Sequence, residues 1–200
     1  DVYKRQERLI REHGADPKRI FMTGGSNGGM MTYVYAVARG ERLAAVAPVV
    51  ASMFAFEPAP KSPLPILIIN GGRDEEVPLQ GGMSKNPLVS AAQASPYRPV
   101  EEVVAFWARV NRCAAAPKVS VKGAVTTRTY APGEGGAPVE FRERGTFWPC
   151  LGNAAWRLLQ VTRRRVDGRH GHGERHRVAY LHGQRPEHEG RLVADASGRV

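Results

Sequence analysis

Ile20-Phe21-Met22-Thr23-Gly24-Gly25-Ser26-Asn27-Gly28-Gly29-Met30-Met31 is the stretch on which the fold turns. Arg19 to Thr23 has the composition of a short strand, and the glycines that follow break it at once. Met30 to Ala38 is rich in apolar and aromatic residues and stops before Gly40, which reads as a buried helix with a glycine at its end. Between the two, Gly24-Gly25-Ser26-Asn27-Gly28 fits G-x-S-x-G. Placed between a strand and a helix, that pattern is a sharp turn presenting a serine hydroxyl; elsewhere it is an ordinary glycine turn. The residues two before and two after Ser26 must lack bulk so that strand and helix can approach while the serine takes a strained backbone. Ser26 is therefore the candidate nucleophile. The Asn27 N–H, at the helix start, is the candidate donor to a developing oxyanion.

Outward from this turn the chain keeps an α/β rhythm. Glu7 to His13 is a charged, partly amphipathic piece ending at Gly14, and Asp16-Pro17 opens the next element. Leu43 to Val50 is a continuous apolar run of strand length, as a parallel strand covered on both faces requires. Pro65 to Asn70 is the clearest strand, closed by Gly71-Gly72. Pro78 to Pro99 is rich in Gly, Pro, Ser and Asn and reads as a long surface loop, and loops of that length are often functional. Val100 to Val110 carries Val103, Val104, Phe106, Trp107 and Val110 at helical spacing, with Phe106 and Trp107 as core residues. Val125 to Tyr130 and Val139 to Phe141 read as two strands flanking the turn-forming Pro132 to Gly136. Strands interleaved with helices predict an α/β fold with a mostly parallel sheet.

The chain has 200 residues, 42% hydrophobic and 24% charged, which suits one domain. No apolar run approaches the roughly 18 residues of a membrane span, so no membrane partner is expected. The net charge of +10 is concentrated late: from Arg142 onward there are many arginines, no lysine, and five of the six histidines. That segment has no helical stripe and no sustained period, so the charge does not point to nucleic acid. Residues 151–200 read as an Arg/His-rich tail, disordered or produced by a shifted reading frame. The two cysteines, Cys113 and Cys150, exclude a multi-thiolate zinc site and allow one bridge between them. No metal and no cofactor is expected.

Asp74 lies in Asn70-Gly71-Gly72-Arg73-Asp74-Glu75-Glu76-Val77-Pro78, directly after the clearest strand. In hydrolases with this elbow the chain order is serine, acid, histidine, so Asp74 is the candidate acid that orients a histidine. Four blocks then carry a family resemblance: Asp16-Pro17-Lys18-Arg19-Ile20, the elbow with Met30-Met31, the Gly71 to Pro78 loop, and Phe106-Trp107-Ala108-Arg109-Val110-Asn111-Arg112-Cys113. Together they resemble the esterase family of polyhydroxybutyrate depolymerases and feruloyl esterases, over about two-thirds of the chain from Asp16 to Trp148. The resemblance implies an α/β-hydrolase fold with residues 7–150 as its C-terminal portion and its first strands upstream of Asp1. It also implies serine-dependent hydrolysis of small-molecule or polymeric esters, and an extracellular or periplasmic protein.

One departure follows from the same resemblance. Where the family has its catalytic histidine, in a segment G-H-x-W-P-G, this chain has Gly145-Thr146-Phe147-Trp148-Pro149-Cys150. Threonine is no general base, so Thr146 implies a weakly active or inactive chain. His170 and His172 sit in a glycine-rich stretch without a motif. A prolyl-oligopeptidase-type serine peptidase, which can share the G-G-S-N-G-G elbow, is the alternative enzyme, and the Met30-Met31 and Phe106 to Cys113 blocks favour the esterase. A non-catalytic hydrolase relative is the alternative of a different class.

Overall fold

The computed structural model describes residues 2–54, 59–145 and 177–182. Helix α1 (Val2–His13) leads into strand β1 (Ala15–Gly25), and helix α2 (Asn27–Arg39) begins one residue later. Then come β2 (Ala45–Val49), β3 (Ile66–Gly71), the short α3 (Pro87–Ala92) and α4 (Val100–Val110). The hairpin β4 (Lys118–Lys122) and β5 (Val125–Tyr130), β6 (Val139–Arg144) and β7 (Arg177–His182) complete the order. All strands join one sheet in the order β4-β5-β6-β3-β2-β1-β7. β6, β3, β2, β1 and β7 run parallel, while β5 is antiparallel to β6 and β4 to β5. The chain is thus a mixed α/β structure with a mostly parallel sheet and flanking helices.

The core explains the order. Every residue of β2 and β3 is buried, as central strands covered on both faces must be. Helix α4 buries Val100, Val103, Val104, Phe106 and Trp107 and exposes Glu101 and Glu102. The Trp107 ring stacks on Tyr33 of α2 with centroids 6.4 Å apart and meets Phe106 edge-on at 5.7 Å, so α2 and α4 lie side by side. The block from Phe106 to Cys113 has a structural centre in Asn111. Its buried amide accepts from Leu64 N at 2.9 Å and donates to Leu64 O at 2.6 Å, while its own carbonyl accepts from Ala137 N. One side chain thereby ties the end of α4 to the approach of β3, and its main chain ties it to the approach of β6.

Several boundaries differ from the sequence expectation, each for a tertiary reason. Helix α1 reaches back to Val2 because Gln6 is buried: its amide accepts from Tyr35 Oη at 2.6 Å and donates to Arg42 O at 2.9 Å. β2 stops at Val49, one residue before the apolar run ends, because Val50 turns to φ 49°. β6 continues beyond Phe141 to Arg144 because β3 and β5 pair it on both sides. The exposed edge strand β4, Lys-Val-Ser-Val-Lys, is held by the tight turn at Gly123, φ 58°. Within the long loop, Asn86 caps α3 by accepting from Leu88 N, and Pro87 supplies a preset first turn. In the Arg/His-rich tail the backbone of Arg177–His182 pairs with β1, covering an edge that would otherwise be open. Thr146, Cys150, and the rest of the tail, with His170 and His172, lie outside the described residues, and with them the Cys113–Cys150 pairing.

Candidate active site

Five parallel strands end at one edge of the sheet, at Gly25, Val49, Gly71, Arg144 and His182. In open parallel sheets this carboxyl edge is where ligands bind. Ser26 stands on it between β1 and α2 with φ 53° and ψ −122°, a conformation that L-residues rarely adopt. Its main chain is locked there. Ser26 N donates to Val49 O at 2.9 Å, and Ser26 O accepts from Met30 N at 3.0 Å. The glycines make the approach possible: a Cβ on Gly24 would sit 2.3 Å from Gly28 O, and one on Gly29 would sit 2.6 Å from Ala51 Cβ. A serine before a helix usually caps it, yet the Ser26 side chain makes no capping hydrogen bond and is half-buried. Asn27 follows as the first residue of α2, exposed, and its N–H is one of the helix-start amides that lack an intrahelical acceptor.

Asp74 is buried in the loop after β3. Its Oδ1 accepts from Glu76 N and Val77 N, both at 2.9 Å, which fixes the carboxylate plane. Its Oδ2 is buried and has no hydrogen-bond partner among the described residues. A buried acceptor left empty is costly, and in a triad acid this is the atom that takes the histidine N–H. β1 and β3 are separated by β2 alone, so the strands that carry Ser26 and Asp74 lie two spacings apart, about 10 Å. Two hydrogen bonds of about 2.8 Å each and one imidazole ring suit such a separation.

His13 does not fill it. His13 ends α1 at the far end of β1, a strand of 11 residues, so it stands about 33 Å from Ser26 at the usual rise. His182 is the last residue of β7, opposite Thr23 of β1, and β7 lies three strand positions from β3. The position the sequence singles out, Thr146, is covalently next to Gly145. Gly72 N donates to Arg144 O at 2.7 Å, and a Cβ on Gly72 would come within 3.6 Å of Gly145 Cα. The end of β6 therefore abuts the loop that carries Asp74.

Two residues that sequence reasoning did not single out hold this edge together. The peptide joining Val49 to Val50 accepts from Ser26 through its carbonyl and donates to Ile69 O, 2.7 Å, through its N–H. Asn70, fully buried at the end of β3, donates its Nδ2 to Ala51 O at 3.1 Å, while its Oδ1 has no partner among the described residues. A polar residue ending an otherwise apolar strand is a signal that could have marked Asn70. Nothing in the sequence marks Val50, since a β-branched residue at positive φ contradicts its propensity.

The long loop is pinned over the same edge. Gly82 and Tyr97 exchange main-chain hydrogen bonds at 2.9 Å, Arg98 N donates to Met53 O, and Ser52 Oγ donates to Arg98 O. Tyr97 packs on Phe54 with centroids 5.9 Å apart. Burial, and then the charges of Glu76 and Asp74, hold the Tyr97 hydroxyl above the ordinary phenol range, so it stays protonated beside the acid. The Cys113 thiol donates to Ala137 O at 3.2 Å, and burial pushes its pKa up, which disfavours the thiolate. Among the described residues no cluster of His, Cys, Asp or Glu is arranged to hold a metal ion, and no helix is long and apolar enough to cross a membrane. Compared with known proteins, the chain matches no protein-family model and no curated protein.

Proposed function

We propose that the chain is a serine-dependent carboxylic ester hydrolase of the α/β-hydrolase type, acting through an acyl-enzyme on polyester, hydroxycinnamoyl or short-chain acyl esters. The observation that carries this reading is the backbone of Ser26. A strained serine between a parallel strand and a helix, locked by two main-chain hydrogen bonds and by glycines that admit no Cβ, is the geometry an exposed nucleophile needs. Ser26 Oγ attacks the ester carbonyl carbon, the carbonyl electron pair moves to oxygen, and the Asn27 N–H stabilises that oxyanion. Collapse expels the alcohol, and water then releases the acid. Asp74 orients the base, which the family resemblance places at position 146.

Because Thr146 occupies that position, the reading expects low turnover from the chain itself and a large gain from Thr146→His. General bases contribute about 10²–10⁴-fold in rate. The experiment is fluorophosphonate labelling, with the modified peptide located by mass spectrometry, alongside hydrolysis of short esters and of proline peptides. Labelling at Ser26 and ester turnover in Thr146→His support the proposal. A folded Thr146→His protein that leaves Ser26 unlabelled overturns it, and preference for proline peptides moves it to the peptidase alternative.

A further inference from the structure

We propose that the outer edge of β4 is a docking site for an extended acidic segment of a partner protein, which adds a strand antiparallel to β4 with one acid opposite Lys118 and another opposite Lys122. Among the described residues β4 ends the sheet, and all five of its residues, Lys118-Val119-Ser120-Val121-Lys122, are exposed. It lies five strand places from β1, about 24 Å from the strand that carries Ser26, so the surface is separate from the candidate active site.

The hairpin decides which main-chain groups face outward. Gly123 and Ala124 form a two-residue turn with Gly123 at φ 58°, and Lys122 pairs with Val125 across it. Such a turn closes with a hydrogen bond between its flanking residues, and hydrogen-bonded and non-hydrogen-bonded pairs then alternate along an antiparallel ladder. Lys118, Ser120 and Lys122 therefore bond to Thr129, Thr127 and Val125 of β5, and the N–H and C=O groups of Val119 and Val121 point away from the sheet. The two valines are 56% and 70% exposed, so an added strand covers apolar surface as well as satisfying these main-chain groups.

The same alternation selects the partner. A strand bonded to Val119 and Val121 meets Lys118 and Lys122 at non-hydrogen-bonded positions, where Cα atoms approach to about 4.5 Å and side chains lie closest. A second copy of β4, paired about a two-fold axis at Ser120, would set Lys118 against Lys122 at both positions, so like charge opposes self-pairing. An acid at each position reverses the sign of both contacts. The surroundings favour the same partner: between Glu102 and Glu134 the chain carries five cations and no acid, of which Arg128 is matched by Glu101. The segment that fits is therefore two acids separated by three residues, with β-branched residues beside each acid.

The test uses the full chain and the fluorescently labelled peptide Glu-Val-Thr-Val-Glu, capped at both ends, with Lys-Val-Thr-Val-Lys as its counterpart. Polarisation measures affinity, and amide hydrogen exchange locates the contact. The expected result is saturable binding of the acidic peptide below about 1 mM, with slowed exchange at Val119 and Val121. Methylating the peptide nitrogens of both peptide valines, which face β4, weakens binding at least about tenfold, while methylating that of its threonine, which faces away, does not. The double variant Lys118→Glu, Lys122→Glu loses about tenfold for the acidic peptide and gains the basic one, and that gain shows that the variant is folded. Equal binding of the two peptides, binding indifferent to methylation of the valines, or no binding overturns the inference. So does self-association that protects Val119 and Val121 without peptide, which would assign the edge to a second copy.

Discussion

Replacing Gly24 by alanine isolates the steric requirement of the turn, because Gly24 is not in the left-handed region and its glycine is needed for space alone. The new Cβ would lie 2.3 Å from Gly28 O and 2.4 Å from Gly28 C, and both are backbone atoms that no rotamer change can move. Reaching even a 3.0 Å contact requires the start of α2 to retreat from β1 by about 0.7 Å. The Ser26–Val49 hydrogen bond and the fit of Gly29 against Ala51 oppose that retreat. Overpacking by a methyl typically costs about 1–3 kcal/mol, and a purely backbone obstacle puts Gly24→Ala at the upper end, about 3 kcal/mol. For a chain of this size that is a fall in Tm of about 6–12 °C. Gly14→Ala is the control: its φ of 61° is strained for alanine, but nothing lies within 4 Å of the added Cβ, so it costs about 1 kcal/mol. Urea titrations with linear extrapolation measure both. If Gly24→Ala proves no more costly than Gly14→Ala, strand and helix are not in contact at the turn, and the account of Ser26 falls with it.

Three further outcomes are expected. Asn111→Leu leaves the buried N–H and C=O of Leu64 without partners, and at about 1–3 kcal/mol for each it costs about 2–6 kcal/mol in a urea titration. Tyr33→Phe removes a buried hydroxyl that has no partner among the described residues and changes stability by between zero and about +1 kcal/mol. Burial holds the Tyr33 proton far above the usual phenol range, so the unfolded chain ionises first; stability present below about pH 10 is lost on the alkaline side, and Tyr33→Phe, followed by thermal melts across that range, removes this residue's share of the loss. Arg128 forms a forked pair with the exposed Glu101 and lies 4.7 Å over the Phe141 ring. Glu101→Gln therefore costs less than about 1 kcal/mol and fades in salt, while Arg128→Ala costs about 1–2 kcal/mol that salt does not remove, because it uncovers an aromatic ring.

Elements whose own residues decide their state could be read directly. Helix α4 spans Val100–Val110 as its spacing predicts, and β5 runs Val125–Tyr130 as expected, because amphipathic period and β-propensity both act locally. What escaped the sequence depends on partners. Gln6 lengthens α1 only because Tyr35 and Arg42 receive it, and β6 runs to Arg144 only because it has neighbours on both sides. The edge strand β4 alternates Lys, Val, Ser, Val, Lys, yet exposes both faces, so no buried face distinguishes it from a loop.

The candidate site divides along the same line. Gly24, Ser26 and Gly28 could be read because their pattern encodes a contact distance, and the structure supplies it as a clash at 2.3 Å for any larger residue. Chain order singles out Asp74, but that its Oδ2 has no partner among the described residues depends on what faces it in space. Least visible was the peptide between Val49 and Val50. Val50 leaves the strand at φ 49° although its side chain favours extended backbone, and the turn sets one peptide plane across three strand ends. Its carbonyl accepts from Ser26 while its N–H donates to Ile69, one residue before Asn70, whose amide returns to Ala51. The strain at Ser26 and the strain at Val50 are thus held by the same hydrogen-bonded unit. The peptide between Val49 and Val50 therefore joins the end of β3, where the Asp74 loop begins, to the main chain of Ser26.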